Sequence, residues 1–292
     1  MPRSVSEGFQ VLIERIQPLN SEHDKGAKHK ATVSSCLEKN FKCYNLFETG
    51  SFGNGTGVRH HSDTDYFAVC PTANLSNNSG YVLIRFRDAL RYTFHSTEGI
   101  RVNTPAVQVP FGQYASETLE VTPAIFNGLI NTPLGQKAYY SIPNFDDGWM
   151  QSSPDAHNAY VTKQDNRLLK RVKPLIQLVK AWKYYNEAPI LSFYLELRIA
   201  KYAETETSIS YDIDFRNVLR FLANNNLANM QDPMGISGYV APCKTSPQKE
   251  TSLTKIRSDL DRAEKAVSLR DSNPDEAFRL WNLIFNYNFP AR

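Results

Sequence analysis

The sequence predicts an α+β (mixed α/β) protein, a lobe with a small twisted sheet packed on an α-helical lobe with a cleft between them. Three observations carry this. Apolar residues recur at helical spacing at the amino end, short β-type runs fill the stretch from about 43 to 121, and helical periodicity returns beyond 166. Phe9, Leu12, Ile13 and Ile16, then Val33, Cys36 and Leu37, predict two helices over residues 5 to about 40, with SEHDKGAKHK as a polar connection or the frayed start of the second. Strands are predicted at 43–47, 64–70, 102–109 (interrupted by Pro105) and 118–121. Between them, Val82, Leu83, Phe86, Leu90 and Phe94 predict a helix over 81–94 lying on the sheet.

Residues 131–165 are rich in Asn, Pro, Gly and Ser and read as a linker or lid. Beyond it, Leu168, Val172, Leu175, Ile176 and Val179 form an apolar stripe, kinked at Pro174, and further helices are expected at 192–203, 213–224, 252–270 and 274–287. The expected domains are therefore a lobe at 1–130, the linker at 131–165 and a helical lobe at 166–292.

Composition narrows the function. With 41% hydrophobic and 22% charged residues in 292, the chain has the balance of a globular protein able to bury a sizeable core. No apolar run reaches the roughly 18 residues that span a bilayer, so the expectation is a soluble, cytoplasmic monomer with no membrane partner. The net charge of +3, from 33 basic and 30 acidic residues, leaves no footprint for a nucleic-acid duplex and favours small anionic ligands. Cys36, Cys43, Cys70 and Cys243 form no CxxC pair, which argues against a structural zinc or a disulfide framework and for buried, reduced thiols.

The chemistry concentrates in residues 48–69, ETGSFGNGTGVRHHSDTDYFAV. Phosphoryl transfer needs metal ions, a triphosphate and an attacking oxygen held in line, hence carboxylates converging on one point. Asp63 and Asp65 stand two apart at the start of a strand, where such residues share a face, and can ligate a pair of magnesium ions. Upstream, Gly50 and Ser51 open a turn containing Gly53, Gly55 and Gly57, whose backbone N–H groups can approach phosphate closely. His60 and His61 adjoin the acids, but neighbours on an extended segment point apart and oxygen ligands already account for a hard-metal site.

The order Gly50-Ser51-Phe52, then Thr56, then Asp63-Thr64-Asp65 and hydrophobics resembles the polymerase-β-like nucleotidyltransferases, and within them the cyclic GMP-AMP synthase and DncV-like group called CD-NTases. The resemblance implies a third carboxylate on a later strand before a Pro-Ala pair. Glu120, in LEVTPA, takes that place where many relatives have Asp. It also implies that Lys180, in LIQLVKAW, reaches the triphosphate along a cleft wall, that Ser192 touches the phosphates, and that Phe193 stacks on a base. Ser192 is in addition the expected N-cap of its helix. The expected cofactors are two Mg2+ or Mn2+ ions on Asp63, Asp65 and Glu120.

The function so implied is the joining of nucleoside triphosphates into a cyclic oligonucleotide, received by a downstream effector in bacterial anti-phage defence, with no stable nucleic-acid partner. A linear oligonucleotide synthase or RNA-terminal nucleotidyltransferase is the second reading. A non-catalytic nucleotide-binding scaffold is the third, and the intact Asp-Thr-Asp argues against it.

Overall fold

The structure, a computed structural model, describes residues 2–61, 63–111 and 117–292, apart from the side chains at 20–28, 52 and 117. Phe9, Leu12, Ile13 and Ile16 bury one stripe of α1 (Val5–Ile16), whose start is capped by Ser4 accepting from the Glu7 amide. Next comes α2 (Asn20–Phe41), so the polar SEHDKGAKHK stretch belongs to this helix. The chain continues through β1 (Asn45–Thr49), the short α3 (Gly50–Asn54), β2 (Thr64–Val69), α4 (Ser79–Thr93), β3 (Arg101–Asn103), β4 (Ala106–Phe111), β5 (Glu117–Thr132), β6 (Gly135–Pro143) and β7 (Trp149–Ser152). The helices α5 (Pro154–Arg167), α6 (Val172–Tyr185), α7 (Ser192–Ala203) and α8 (Tyr211–Asn224) follow, then β8 (Met230–Gln231), β9 (Tyr239–Val240), α9 (Ser246–Leu269) and α10 (Pro274–Ile284).

Two compact units emerge. One comprises Pro18–Ala159 and Met234–Gly238, the other Met1–Gln17, Tyr160–Pro233 and Tyr239–Arg292. This departs from the expected division, because α1 groups with the later helices and not with the sheet. The stretch 131–165 is also no structureless linker. Its Thr132 to Gly135 turn joins β5 to β6, β7 extends the same sheet, and α5 completes the segment. Of the Asn and Gly residues counted as linker chemistry, Asn131 and Gly135 flank that turn and Asn144 and Gly148 lie in the loop between β6 and β7.

The first unit is built on a seven-stranded sheet with the path β1-β2-β5-β4-β3; β6 pairs with the carboxyl half of β5, and β7 pairs with β6. Among the described residues of this sheet, β2 and β5 pair in parallel and the other pairs are antiparallel. Alternation divides the central strands between two environments. Tyr66, Ala68, Val107, Val109, Leu119 and Val121 bury one face against Leu37 and Phe41 of α2 and Phe86 and Leu90 of α4. Phe67, Val69 and Ala124 occupy the opposite face and pack with Ile142. The four cysteines are buried free thiols.

In the second unit, Pro174 lies within the first turn of α6, where a missing N–H costs little, and so marks the helix start without kinking it. The core centres on an aromatic cluster. Phe9 is fully buried, with its ring 4.8 Å from Trp281 and 5.1 Å from Phe289, both edge-on, and Phe215 and Phe285 close the group. Among the described residues no helix is long and apolar enough to cross a membrane.

Truncating a ring at this centre removes several partners at once. Phe9→Ala is expected to lower unfolding stability by about 3–5 kcal/mol in urea denaturation. A loss under about 1 kcal/mol would show that the cluster re-forms without it.

Candidate active site

Strand register assembles the site. Thr49 of β1 stands opposite Asp65 of β2, Asp65 opposite Glu120 of β5, Glu120 opposite Gln108 of β4, and Gln108 opposite Arg101 of β3. Direct partners share a face, so these five residues form a polar row across the sheet. Because Tyr66, Leu119 and Val121 point into the helix-covered core, Asp65 and Glu120 must point to the other face. Asp63, two residues before Asp65, joins them.

Asp63 and Glu120 also act on each other electrostatically. Burial, and then the neighbouring negative charge of Glu120, push the Asp63 carboxyl up to about 7, against the pull of Arg101 and of a hydrogen bond from Thr118. Asn103 donates to Glu120 Oε1 at 2.8 Å, and Gln108 reaches the same oxygen at 3.4 Å. Neither amide was foreseen from sequence, since only pairing register brings β3 and β4 beside the acids.

The glycine turn touches this cluster directly. Gly50 has φ +67°, and a Cβ there would lie 1.9 Å from Asp65 Oδ2, so only glycine fits between the end of β1 and the carboxylate. Ser51 opens α3, and its carbonyl accepts from the Thr56 amide at 2.9 Å, which closes the turn. His60 and His61 are exposed on the loop that follows.

Among the described residues no set of three His, Cys, Asp or Glu side chains is already closed into a metal cage. The donor set nevertheless fits a hard divalent cation. Its ligands would be carboxylate oxygens, and the raised protonation of Asp63 is what a cation would relieve.

Lys180, Ser192 and Phe193 belong to the second unit. Lys180 does not lie along an open wall: it is fully buried and donates to Glu196 of α7 at 2.8 Å. The apolar stripe of α6 drew it inward, and a buried ammonium requires such a counter-ion. Ser192 is the first residue of α7 and not its cap, which is Leu191. Its hydroxyl accepts from Lys183 at 2.8 Å. Burial, with Lys180 nearby, pushes the Lys183 ammonium down to about 8, against the opposing pull of Glu196 and Cys243. Phe193, the next residue of α7, is 40% exposed. Lys183 was missed because a lysine one turn beyond Lys180 carries no signal until Ser192 is located.

The profile of the Second Messenger Oligonucleotide or Dinucleotide Synthetase (SMODS) domain matches residues 3–166. The chain belongs to this family. As a SMODS protein it is a nucleotidyltransferase, and its similarity to a cyclic AMP-AMP-AMP synthase from Acinetobacter sp. (strain ATCC 27244 / 9458) is 23% identity over 264 residues, 84% of this chain and 72% of that protein. Among solved structures, Escherichia coli MS115-1 CdnC with ATP superposes with a TM-score of 0.75 at 16% identity over 98% of both chains. The same protein in its HORMA-deltaN complex gives 0.73, also at 16% identity and 98% of both chains. Vibrio cholerae DncV cyclic AMP-GMP synthase, in complex with a linear intermediate, gives 0.66 at 12% identity over 85% of this chain and 70% of that one. These structures establish the polymerase-β-like CD-NTase fold.

Two outcomes follow from the crowding around Asp65 and Asp63. Gly50→Ala forces a methyl group onto the Asp65 carboxylate in a left-handed backbone and is expected to cut pyrophosphate release at least about tenfold while costing about 1 kcal/mol or more of stability. Wild-type turnover in this variant would show that the turn can relax. The second concerns pH. Because the folded Asp63 pKa lies above the ordinary carboxylate value, folding takes up a proton between about 4 and 7, and stability falls as pH rises through that window. Asp63→Asn should therefore raise the melting temperature of metal-free protein at pH 8 and leave it unchanged at pH 4; equal shifts at both would contradict this.

Proposed function

We propose that this SMODS protein joins nucleoside triphosphates into a cyclic oligonucleotide messenger, releasing pyrophosphate at each bond, with Asp63, Asp65 and Glu120 as the catalytic carboxylates. The observation that carries the assignment is the register of Asp65 against Glu120, with Asp63 electrostatically coupled to the same glutamate. These side chains would hold two Mg2+ or Mn2+ ions, which when bound supply positive charge beside the acceptor hydroxyl and the α-phosphate.

The remaining groups bind and orient. Gly50 lets the backbone approach closely, and Ser51 offers a hydroxyl at the start of α3. In the helical unit, Ser192 and Phe193 are assigned to phosphate and base contacts. The Lys180–Glu196 pair is assigned to fixing α6 against α7 so that these contacts are held in place. The similarity to a cyclic AMP-AMP-AMP synthase and to a CdnC solved with ATP makes ATP the first substrate to test. In this reading the product signals to an effector in bacterial anti-phage defence, and the CdnC complex with HORMA-deltaN supports looking for a protein partner.

Purified protein incubated with ATP, GTP, CTP and UTP and Mg2+ or Mn2+ should yield a phosphatase-resistant cyclic product by mass spectrometry. The paired Asp63→Ala and Asp65→Ala variant should yield none and release no pyrophosphate. Only linear, phosphatase-sensitive products would favour the linear synthase, and no pyrophosphate from the wild type would favour a scaffold.

A further inference from the structure

Glu120 carries its carboxylate on a two-carbon side-chain arm, whose torsions must be fixed before the group can serve as a ligand. What restrains that arm is visible in the hydrogen bonds. Asn103 Nδ2, on β3, donates to Glu120 Oε1 at 2.8 Å, and Gln108 Nε2, on β4, reaches the same atom at 3.4 Å. Both positions are set by register. Gln108 is the direct cross-strand partner of Glu120, while Asn103 pairs with Ala106, two residues from Gln108, and so shares that face. The donors therefore approach from two adjacent strands, and neither depends on a loop.

The chemical type of the donors matters as much as their direction. A lysine or arginine at either position would hold the carboxylate by neutralising it. An amide fixes the oxygen and adds no charge, so the glutamate keeps its full negative charge for a cation. The cationic member of the row, Arg101, acts on Asp63, whereas these two donors to Glu120 Oε1 are both neutral.

We propose that Asn103 and Gln108 are positioning residues that clamp Glu120 in its ligating conformation. This rests on the reading of Glu120 as a metal ligand. Groups that orient a ligand in this way typically change metal affinity by about 10- to 100-fold when removed.

The test is Mn2+ binding to the full chain in complex with a non-hydrolysable ATP analogue, followed by electron paramagnetic resonance, together with the Mn2+ dependence of pyrophosphate release. Asn103→Leu is expected to weaken Mn2+ binding at least about tenfold, Gln108→Leu by less, and the two together by the most. At saturating Mn2+ the KM for ATP should stay at the wild-type value and kcat should recover. In a Glu120→Asp background, where the shorter arm falls out of reach of the amides, adding Asn103→Leu should change Mn2+ affinity little. Asn103→Ser carries the same expectations in a small polar side chain should the leucine disturb the hairpin.

Wild-type Mn2+ affinity in the double variant overturns the clamp. So does an equal loss from Asn103→Leu in the wild-type and Glu120→Asp backgrounds, because the effect would then not pass through the glutamate arm. Undiminished Mn2+ binding by Glu120→Gln would instead remove the reading on which the clamp rests.

Discussion

The parallel pairing of β2 with β5 is the interaction on which the site depends. Antiparallel neighbours surround it, and it alone brings two distant stretches of sequence together with Asp65 opposite Glu120. A slip of one residue would present Leu119 or Val121 in place of the glutamate and drive a carboxylate into the face covered by α2 and α4. The buried side chains that stabilise the sheet therefore also fix where the acids lie. Hydrophobic alternation and catalytic placement are two consequences of one register.

That placement has an electrostatic cost, because acids on one sheet face repel and desolvate one another. Burial first, and then the charge of Glu120, raise the Asp63 carboxyl, and Arg101 and Thr118 only partly offset them. Gly50 adds a steric condition, since the turn after β1 runs so close to Asp65 that no β-carbon fits. Within the helical unit burial acts differently. Lys180 is drawn into the core and neutralised by Glu196, which leaves Lys183 as the lysine bonded to Ser192.

Much of this was legible from residue patterns. The strand rule for residues i and i+2 puts Asp63 and Asp65 on one face, and the family resemblance singles out Glu120 ahead of its Pro-Ala pair. The helices from α6 onward followed from apolar spacing, with α7 matching its expected limits and α8 to α10 differing at their ends, while α5 lies in the stretch read as a linker. What failed has identifiable physical causes. The β5–β6 hairpin lies where turn-forming residues masked the strands, and the 102–109 stretch folds into two strands around Pro105. The side chain of Lys180 could not be oriented before Glu196 was known to face it, and the Asn103 and Gln108 contacts exist only through pairing between strands. Local chemistry is written in local sequence; the counter-charges and clamps are products of tertiary register.

The most direct measurement is anomalous X-ray diffraction from crystals grown with Mn2+ and a non-hydrolysable ATP analogue. The register described here predicts manganese peaks ligated by carboxylate oxygens of Asp63, Asp65 and Glu120 together. Manganese bound with Glu120 turned away, or held by other side chains altogether, would contradict it.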